Sequence, residues 1–196
     1  SETVRLEYNI LRARVNPHFL FNSLNILYSL SFIDIEKSRE FTISLSRMYR
    51  NIMGKLSAST VGVSTELDFL KSYIEVIETH YAGQFKVKIT GVENAEGRHI
   101  VPFSLQLLAE NVTKHNVIGP EKPMTMHIEI LEDRIRVSNP IRLKRDISPV
   151  DKTSGVGLLY LTRLYEMHGG HFSHSIRDGF FTVEFSFIEP ETQRQP

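Results

Sequence analysis

The stretch VPFSLQLLAENVTKHN, at residues 101–116, has the pattern of a helix with two different sides. Its apolar residues Leu105, Leu108 and Val112 recur at intervals of three and four, the spacing of one helical face. The end of the same helix gathers four polar residues, namely Glu110, Asn111, Lys114 and His115. An amide oxygen can bind magnesium and cationic groups can bind phosphate oxygens, although Lys and His also suit the carboxyl end of any helix.

Apolar and polar residues alternate in segments before and after this helix in the sequence, and this alternation predicts β-strands. The alternation is clear in four segments, at residues 85–89, 126–130, 135–137 and 181–187. Asp178-Gly179 predicts a tight hairpin turn before the last of these segments. Helices are predicted at residues 67–81, after a Ser-Thr-Glu start signal at residues 64–66, and at residues 155–167. We therefore predict a sheet with helices on one face, which is an α/β sandwich within the α+β class.

Two segments within the first sixty residues have a helical pattern. Apolar residues alternate at spacings of four and three from Leu6 to Leu27, and a second stripe runs from Phe41 to Leu56 after a break near residues 32–34. This pattern predicts a helical hairpin, and two hairpins paired in a homodimer would complete a four-helix bundle. Residues 57–64 are small and polar and are interpreted as a linker. We predict two domains, a helical hairpin at residues 1–60 and the sandwich at residues 61–196.

Composition and charge exclude several classes of function. The formal net charge is zero, so no direct nucleic-acid partner is expected. The chain has no cysteine, which excludes disulfides, thiolate zinc sites and cysteine nucleophiles. No apolar run approaches the roughly 18 residues that a membrane-spanning helix requires. The sequence begins inside a helical pattern, and we expect it to be a piece of a longer protein.

The segment NPHFLFNSLN, at residues 16–25, carries a candidate nucleophile. Arg14, His18, Asn22 and Asn25 follow one another at spacings of four, four and three, which predicts a shared polar face. An exposed His18 there can attack a phosphoryl group, and Asn22 can hold a water or a phosphoryl oxygen. Pro17 predicts a kink just before the histidine. On residue types alone, the alternative is a surface histidine beside an incidental kink.

NPHFLFNSLN resembles the phosphoacceptor box of the LytS-like sensor histidine kinases. The resemblance implies that His18 is the phosphorylated residue and that the chain acts as a homodimer. Two positions depart from common patterns. Arg14 stands where the family often has Gln, and Phe19 replaces the acidic residue that follows the histidine in the commoner histidine kinases.

VPFSLQLLAENVTKHN resembles the N box of the GHKL ATPase superfamily, whose Bergerat fold is an α/β sandwich. The resemblance implies that Asn111 binds Mg²⁺ and that Glu110 is the N-box acid, with a catalytic role. It also implies that Lys114 and His115 contact the nucleotide. Asn116 stands where many relatives have Gly.

The segment SGVGL, at residues 154–158, precedes a predicted helix. Glycines let a backbone approach phosphates and a helix start offers unpaired amides, although ordinary turns have the same glycines. In its position after the N box it resembles the GHKL G2 box, which implies nucleotide contacts from Gly155, Gly157 and Leu158, with a lid at residues 140–153. Asn139 stands where the family has its adenine-binding Asp, and the glycines of that box are missing. The Asn139 amide oxygen can accept the adenine amine hydrogen bond, but without a charge.

Together these resemblances imply a protein-histidine kinase that uses ATP and Mg²⁺. The γ-phosphoryl group would pass to His18 and then to an aspartate of a response regulator, often a LytTR-type transcription factor in this family. The chain would be the cytoplasmic portion of a bacterial inner-membrane protein with an N-terminal sensor. One alternative is a pseudokinase or nucleotide-binding dimeric scaffold, which Asn139 and the missing glycines favour. Another is a GHKL serine kinase or ATPase, but that class lacks the NPHFLFNSLN helix.

Overall fold

The computed structural model describes residues 17–53, 60–144 and 156–190. The helices are α1 (Pro17–Ile33), α2 (Ile35–Met53), α3 (Val63–His80), α4 (Ser104–His115) and α5 (Val156–Met167). The strands are β1 (Val61–Gly62), β2 (Phe85–Thr90), β3 (His99–Ile100), β4 (Met124–Ile130), β5 (Arg134–Pro140), β6 (Phe172–Arg177) and β7 (Phe180–Ser186). In this part of the chain no helix is both long enough and apolar enough to cross a bilayer.

Five strands form one mixed sheet in the order β2-β4-β5-β7-β6. β2 runs parallel to β4, and the other neighbours are antiparallel. β1 and β3 form a separate small pair in which Val61 faces Ile100. Helices and a sheet in this arrangement confirm the predicted α+β class.

The two faces of the sheet differ in polarity, as the alternating sequence predicts. Along β4 and β5 every second residue is buried, and Met126, Ile128 and Ile135 are fully covered. Helix α5 covers the β6–β7 end of this face with Tyr165, whose ring centroid lies 5.2 Å from that of Phe185. The opposite face is polar and carries surface ion pairs, including Arg136 Nε to Glu184 Oε1 at 2.7 Å.

The β6–β7 hairpin turns at Asp178-Gly179, as predicted. Both residues have positive φ, 51° and 78°, which is the requirement of the type I′ turn that matches strand twist. Arg177 and Phe180 face each other across the turn. The order of local residue types was sufficient to predict this feature.

A single residue, Asp34, separates α1 from α2. Asp34 Oδ1 accepts a hydrogen bond from Lys37 N at 3.0 Å and so caps the start of α2. Ser38 Oγ lies 3.5 Å from Leu27 O. Eleven residues of straight helix would separate those atoms by about 16 Å. The chain therefore folds back at Asp34.

Helix α2 packs against α3 of the sandwich. The Phe41 ring lies 6.2 Å from the rings of both Phe69 and Tyr73, and the Tyr49 ring lies 5.1 Å from that of Phe103. This differs from our expectation that both helical stripes complete a dimeric bundle. The reason is that α3 presents aromatic side chains within the same chain, and these cover the α2 stripe.

Helix α1 keeps an apolar stripe exposed. We call this set the α1 stripe, and its members are Phe21, Leu24, Tyr28 and Phe32, exposed at 65%, 49%, 69% and 74%. Their spacing of three, four and four residues places them on one side of the helix. The sequence pattern predicts Leu27 in the same seam as Leu24, but Leu27 is half-buried and Leu24 is exposed.

Candidate functional site

Helix α4 is anchored at its start by a buried carboxylate on α3. Glu66 is fully buried, and its carboxylate accepts hydrogen bonds from Phe103 N at 3.0 Å and Leu105 N at 3.1 Å. These amides have no partner within the helix, because the first turn of any helix leaves its N–H groups unsatisfied. Burial raises the pKa of Glu66 to about 8, and the backbone hydrogen bonds oppose that rise.

This corrects two expectations. The sequence pattern predicts a helix that starts at Val101, and it assigns Glu66 to the start signal of its own helix. Helix α4 begins at Ser104, since Phe103 adopts a left-handed backbone with φ 64°. The Glu66 side chain caps that helix, 37 residues farther along the chain.

A small polar network extends from the Glu66 cap. Ser104 Oγ donates to Val101 O at 2.6 Å and lies 2.9 Å from the Tyr165 hydroxyl on α5. Gln106 Nε2 donates to Glu66 O at 3.3 Å. Burial raises the pKa of Tyr165, so its hydroxyl stays neutral. The network fixes α3, α4 and α5 relative to one another.

A cavity of about 220 Å³ lies at the other end of α4, where it meets β5, β7 and α5. Its wall is mostly apolar, built by Val112, Ile141, Leu143, Leu158, Ile176 and Phe181. Its polar groups are Asn111, His115, Asn116 and Asn139. An apolar wall with a few convergent polar groups is the general form of a small-ligand site.

Asn139 is a buried polar residue of this cavity. It is 3% exposed and lies on β5 opposite Phe181 of β7. Asn139 Nδ2 donates to Pro140 O at 2.8 Å. This bond fixes the orientation of the amide, so Oδ1 at its other end is the group that can accept from a ligand.

The structure brings together most of the residues predicted to contact nucleotide. Asn111 and His115 of α4, Asn139 of β5 and Leu158 of α5 all line the cavity. Gly157 lies in the first turn of α5, and Gly155 is outside the described residues.

Glu110 and Lys114 are half-buried on α4, beside the lining residues. The Glu110 charge acts on Tyr73 of α3, where burial first and this carboxylate second raise the tyrosine pKa. The Glu110 carboxylate is therefore close enough to Tyr73 for its charge to act on the tyrosine hydroxyl.

His18 and Asn22 lie in α1, whereas the cavity is built by other elements. The described residues do not include the side chains of His18 and Asn22, or residues 1–16, where the predicted kink begins. Asn25, predicted on the same polar face, is exposed.

Three further contributors to the cavity are not predicted as site residues by the sequence pattern. Ile176 and Phe181 reach it from the β6–β7 hairpin, and Asn116 reaches it from the end of α4. Asn116 had been noted only as a departure from Gly. Its polarity next to the N box was the signal that could have identified it.

Comparisons with known proteins agree on one family. Residues 6–85 match the family model for histidine kinases. The sensor protein LytS of Staphylococcus saprophyticus is 35% identical over 109 residues, which is 56% of this chain and 18% of that protein. The LytS of Enterococcus faecalis is 26% identical over 162 residues, which is 77% of this chain and 28% of that protein.

Among solved structures, the cytoplasmic segment of the histidine kinase QseC aligns with a TM-score of 0.45 at 14% identity, covering 78% of this chain and 95% of that one. The chain spans less than a third of the length of the LytS relatives named above. The matched residues 6–85 include NPHFLFNSLN, and over this part of its length the chain is similar to histidine kinases.

Proposed function

We propose that this chain is the ATP-dependent core of a two-component sensor histidine kinase. It transfers the γ-phosphoryl group of ATP to His18, and the group then passes to an aspartate of a response regulator. The observation that carries the proposal is the cavity at the end of α4, where Asn111, His115 and Asn139 converge on an apolar wall. The histidine kinase match over residues 6–85 supports it.

The chemistry of the cavity fits ATP. Ile141, Leu143 and Phe181 offer the apolar surface that a purine ring requires. The Asn139 Oδ1 atom would accept a hydrogen bond from the adenine amine, in place of the Asp of the family pattern. Because the amide has no charge, this bond is weaker than one to a carboxylate.

Phosphates and Mg²⁺ would occupy the polar end of the cavity. Asn111 would supply one amide oxygen to Mg²⁺, which keeps several waters and takes few protein ligands when it binds nucleotide. Lys114 and His115 would contact phosphate oxygens as donors. The bound ion would neutralise phosphate charge. Gly155 and Gly157 would let the backbone at the start of α5 approach the phosphates.

The transfer itself requires one bond to form and one to break. A His18 imidazole nitrogen attacks the γ-phosphorus in line, and the bond to the bridging oxygen breaks to leave ADP. Asn22, one turn from His18, would hold a phosphoryl oxygen or a water, and Glu110 is the N-box acid. Catalysis of this kind depends mainly on positioning and charge neutralisation.

The proposal includes the assembly and surroundings of the kinase. The α1 stripe suits a homodimer interface, because a contiguous exposed apolar patch marks a contact surface. Residues 1–60 would form the dimerisation and phosphotransfer domain, and residues 61–196 the ATP-binding domain. The regulator would be of the LytTR type. A membrane-bound sensor region would precede the chain, with the kinase portion in the bacterial cytoplasm.

The decisive experiment is autophosphorylation with γ-labelled ATP and Mg²⁺. We expect acid-labile label on the wild-type chain, none on His18→Gln, and full label on His171→Gln, which removes an exposed histidine outside the site. Acid-stable label on Ser or Thr would indicate a serine kinase instead. Absence of ATP binding in calorimetry would indicate a scaffold or pseudokinase.

A further inference from the structure

Asn116 joins the carboxyl end of α4 to the segment that follows β5. Its Oδ1 atom accepts a hydrogen bond from Arg142 N at 2.7 Å, and its Nδ2 atom donates to Val112 O at 2.9 Å. The residue is only 5% exposed. Both ends of the amide are therefore used, one on each side of the junction.

Backbone hydrogen bonds surround this side chain. Val117 N donates to Arg142 O at 2.7 Å, and Lys144 N donates to His115 O at 3.1 Å. Asn116 pairs with Leu143 as an isolated antiparallel bridge. We call these contacts and the two Asn116 side-chain bonds the α4 clasp.

The α4 clasp connects the two sides of the cavity. The clasped segment contributes Ile141 and Leu143 to the apolar wall, while α4 contributes Asn111 and His115. Asn116 itself lines the cavity between them. The Oδ1 bond to Arg142 N crosses between the two sides beside the backbone bonds, and the Nδ2 bond to Val112 O holds the side chain in place on α4.

Backbone conformation does not require an asparagine here. Asn116 has φ −108° and ψ 149°, an extended conformation that any residue adopts. A Gly at this position would fit the backbone but would lack both side-chain bonds. The role of Asn116 therefore lies in its side-chain hydrogen bonds and not in its backbone conformation.

We infer that Asn116 is a positioning residue for the nucleotide: it holds the Ile141–Leu143 wall at the distance from α4 that suits the nucleoside. The inference rests on the proposed ATP site. Asn116 is expected to affect the affinity for nucleotide and not the transfer step. The reason is that its side chain bonds to protein atoms of α4 and of the segment after β5.

The test measures ATP and ADP binding by calorimetry for the wild-type chain and for Asn116→Gly. Loss of the one side-chain hydrogen bond that crosses to the wall segment, at ordinary strength, predicts a rise in Kd of about five- to tenfold. The factor should be similar for ATP and ADP, because both carry the nucleoside that contacts the wall. The autophosphorylation rate at saturating ATP should stay near that of the wild type, so the KM for ATP changes and kcat does not.

Asn94→Ala is the matched control, because Asn94 Nδ2 donates to Ile130 O at 2.9 Å away from the cavity lining. It should lower Tm and leave both Kd values unchanged. If Asn116→Gly behaves in the same way, Asn116 is merely structural and the inference is wrong, while the ATP site stands. If the wild type binds neither nucleotide, the proposed function and the inference fail together. If circular dichroism shows that Asn116→Gly is unfolded, ATP and ADP binding is measured for Asn116→Ala instead. The same rise in both Kd values is expected.

Discussion

Glu66 shows how one buried side chain can link pH to stability. Its ordinary pKa is 4.5, and burial in the folded chain raises the pKa to about 8. The folded state therefore binds this proton more tightly than the unfolded state. The resulting stabilisation is complete below about pH 4.5 and is lost as pH rises toward 8.

We expect the free energy of unfolding of the wild type to fall across that range more steeply than that of Glu66→Gln. The side-chain oxygen of Gln can still accept a hydrogen bond from one backbone N–H group at the start of α4. The Gln side chain has no proton that titrates in this range. Urea titrations at a series of pH values measure the difference. Glu96→Gln, at an exposed position, should keep the wild-type slope. Equal slopes for wild type and Glu66→Gln would show that Glu66 does not titrate in this range.

At the scale of elements, the contact between α2 and α3 joins the helical segment to the sandwich. Phe41 is fully buried between Phe69 and Tyr73, and Ser44 Oγ lies 2.7 Å from Ser72 Oγ. Tyr49 extends the contact to Phe103, which adjoins the Glu66 cap of α4. A continuous path of packed residues therefore runs from α2 to the helix that carries the candidate nucleotide site.

Phe41→Ala should lower the free energy of unfolding by about 3–5 kcal/mol, the usual cost of emptying a buried aromatic site. Ile43→Ala on the same helix removes a side chain that is 50% exposed, and its effect should be below about 1 kcal/mol. Urea unfolding monitored by circular dichroism compares the two. A similar small loss for both variants would mean that α2 does not pack on α3 in solution.

The elements themselves were largely predictable from sequence. β4, β5 and β7 alternate cleanly, and Asp178-Gly179 has the residue types of its turn, because these signals depend on near neighbours. The partner of α2 was not predictable. An apolar helical stripe indicates that another protein surface covers it, but it does not identify that surface. Several surfaces of this chain or a second copy could do so.

At the scale of the whole molecule, the α1 stripe is an exposed apolar surface of the described residues that the proposed dimer would bury. The double variant Tyr28→Glu with Phe32→Glu places two carboxylates in that surface, where burial is costly. We expect it to sediment as a monomer while the wild type sediments as a dimer. Both proteins should bind ATP with similar Kd values, because the cavity is built from other elements.

Val92→Glu is the control for surface charge, since Val92 is an exposed apolar residue outside the α1 stripe. It should remain dimeric. A dimeric double variant would place the interface on another surface of the chain.

The sequence by itself indicated the resemblance to histidine kinases, the α+β class and four of the ten described residues that line the cavity. Motifs such as NPHFLFNSLN and the polar end of α4 are local, so their residues can be identified without knowing what they contact. Tertiary structure alone decided the roles of Glu66 and Asn116. Their hydrogen-bond partners Phe103 and Arg142 lie 37 and 26 residues away. Packing of the whole chain selects such distant partners, and no local pattern of residue types records that choice.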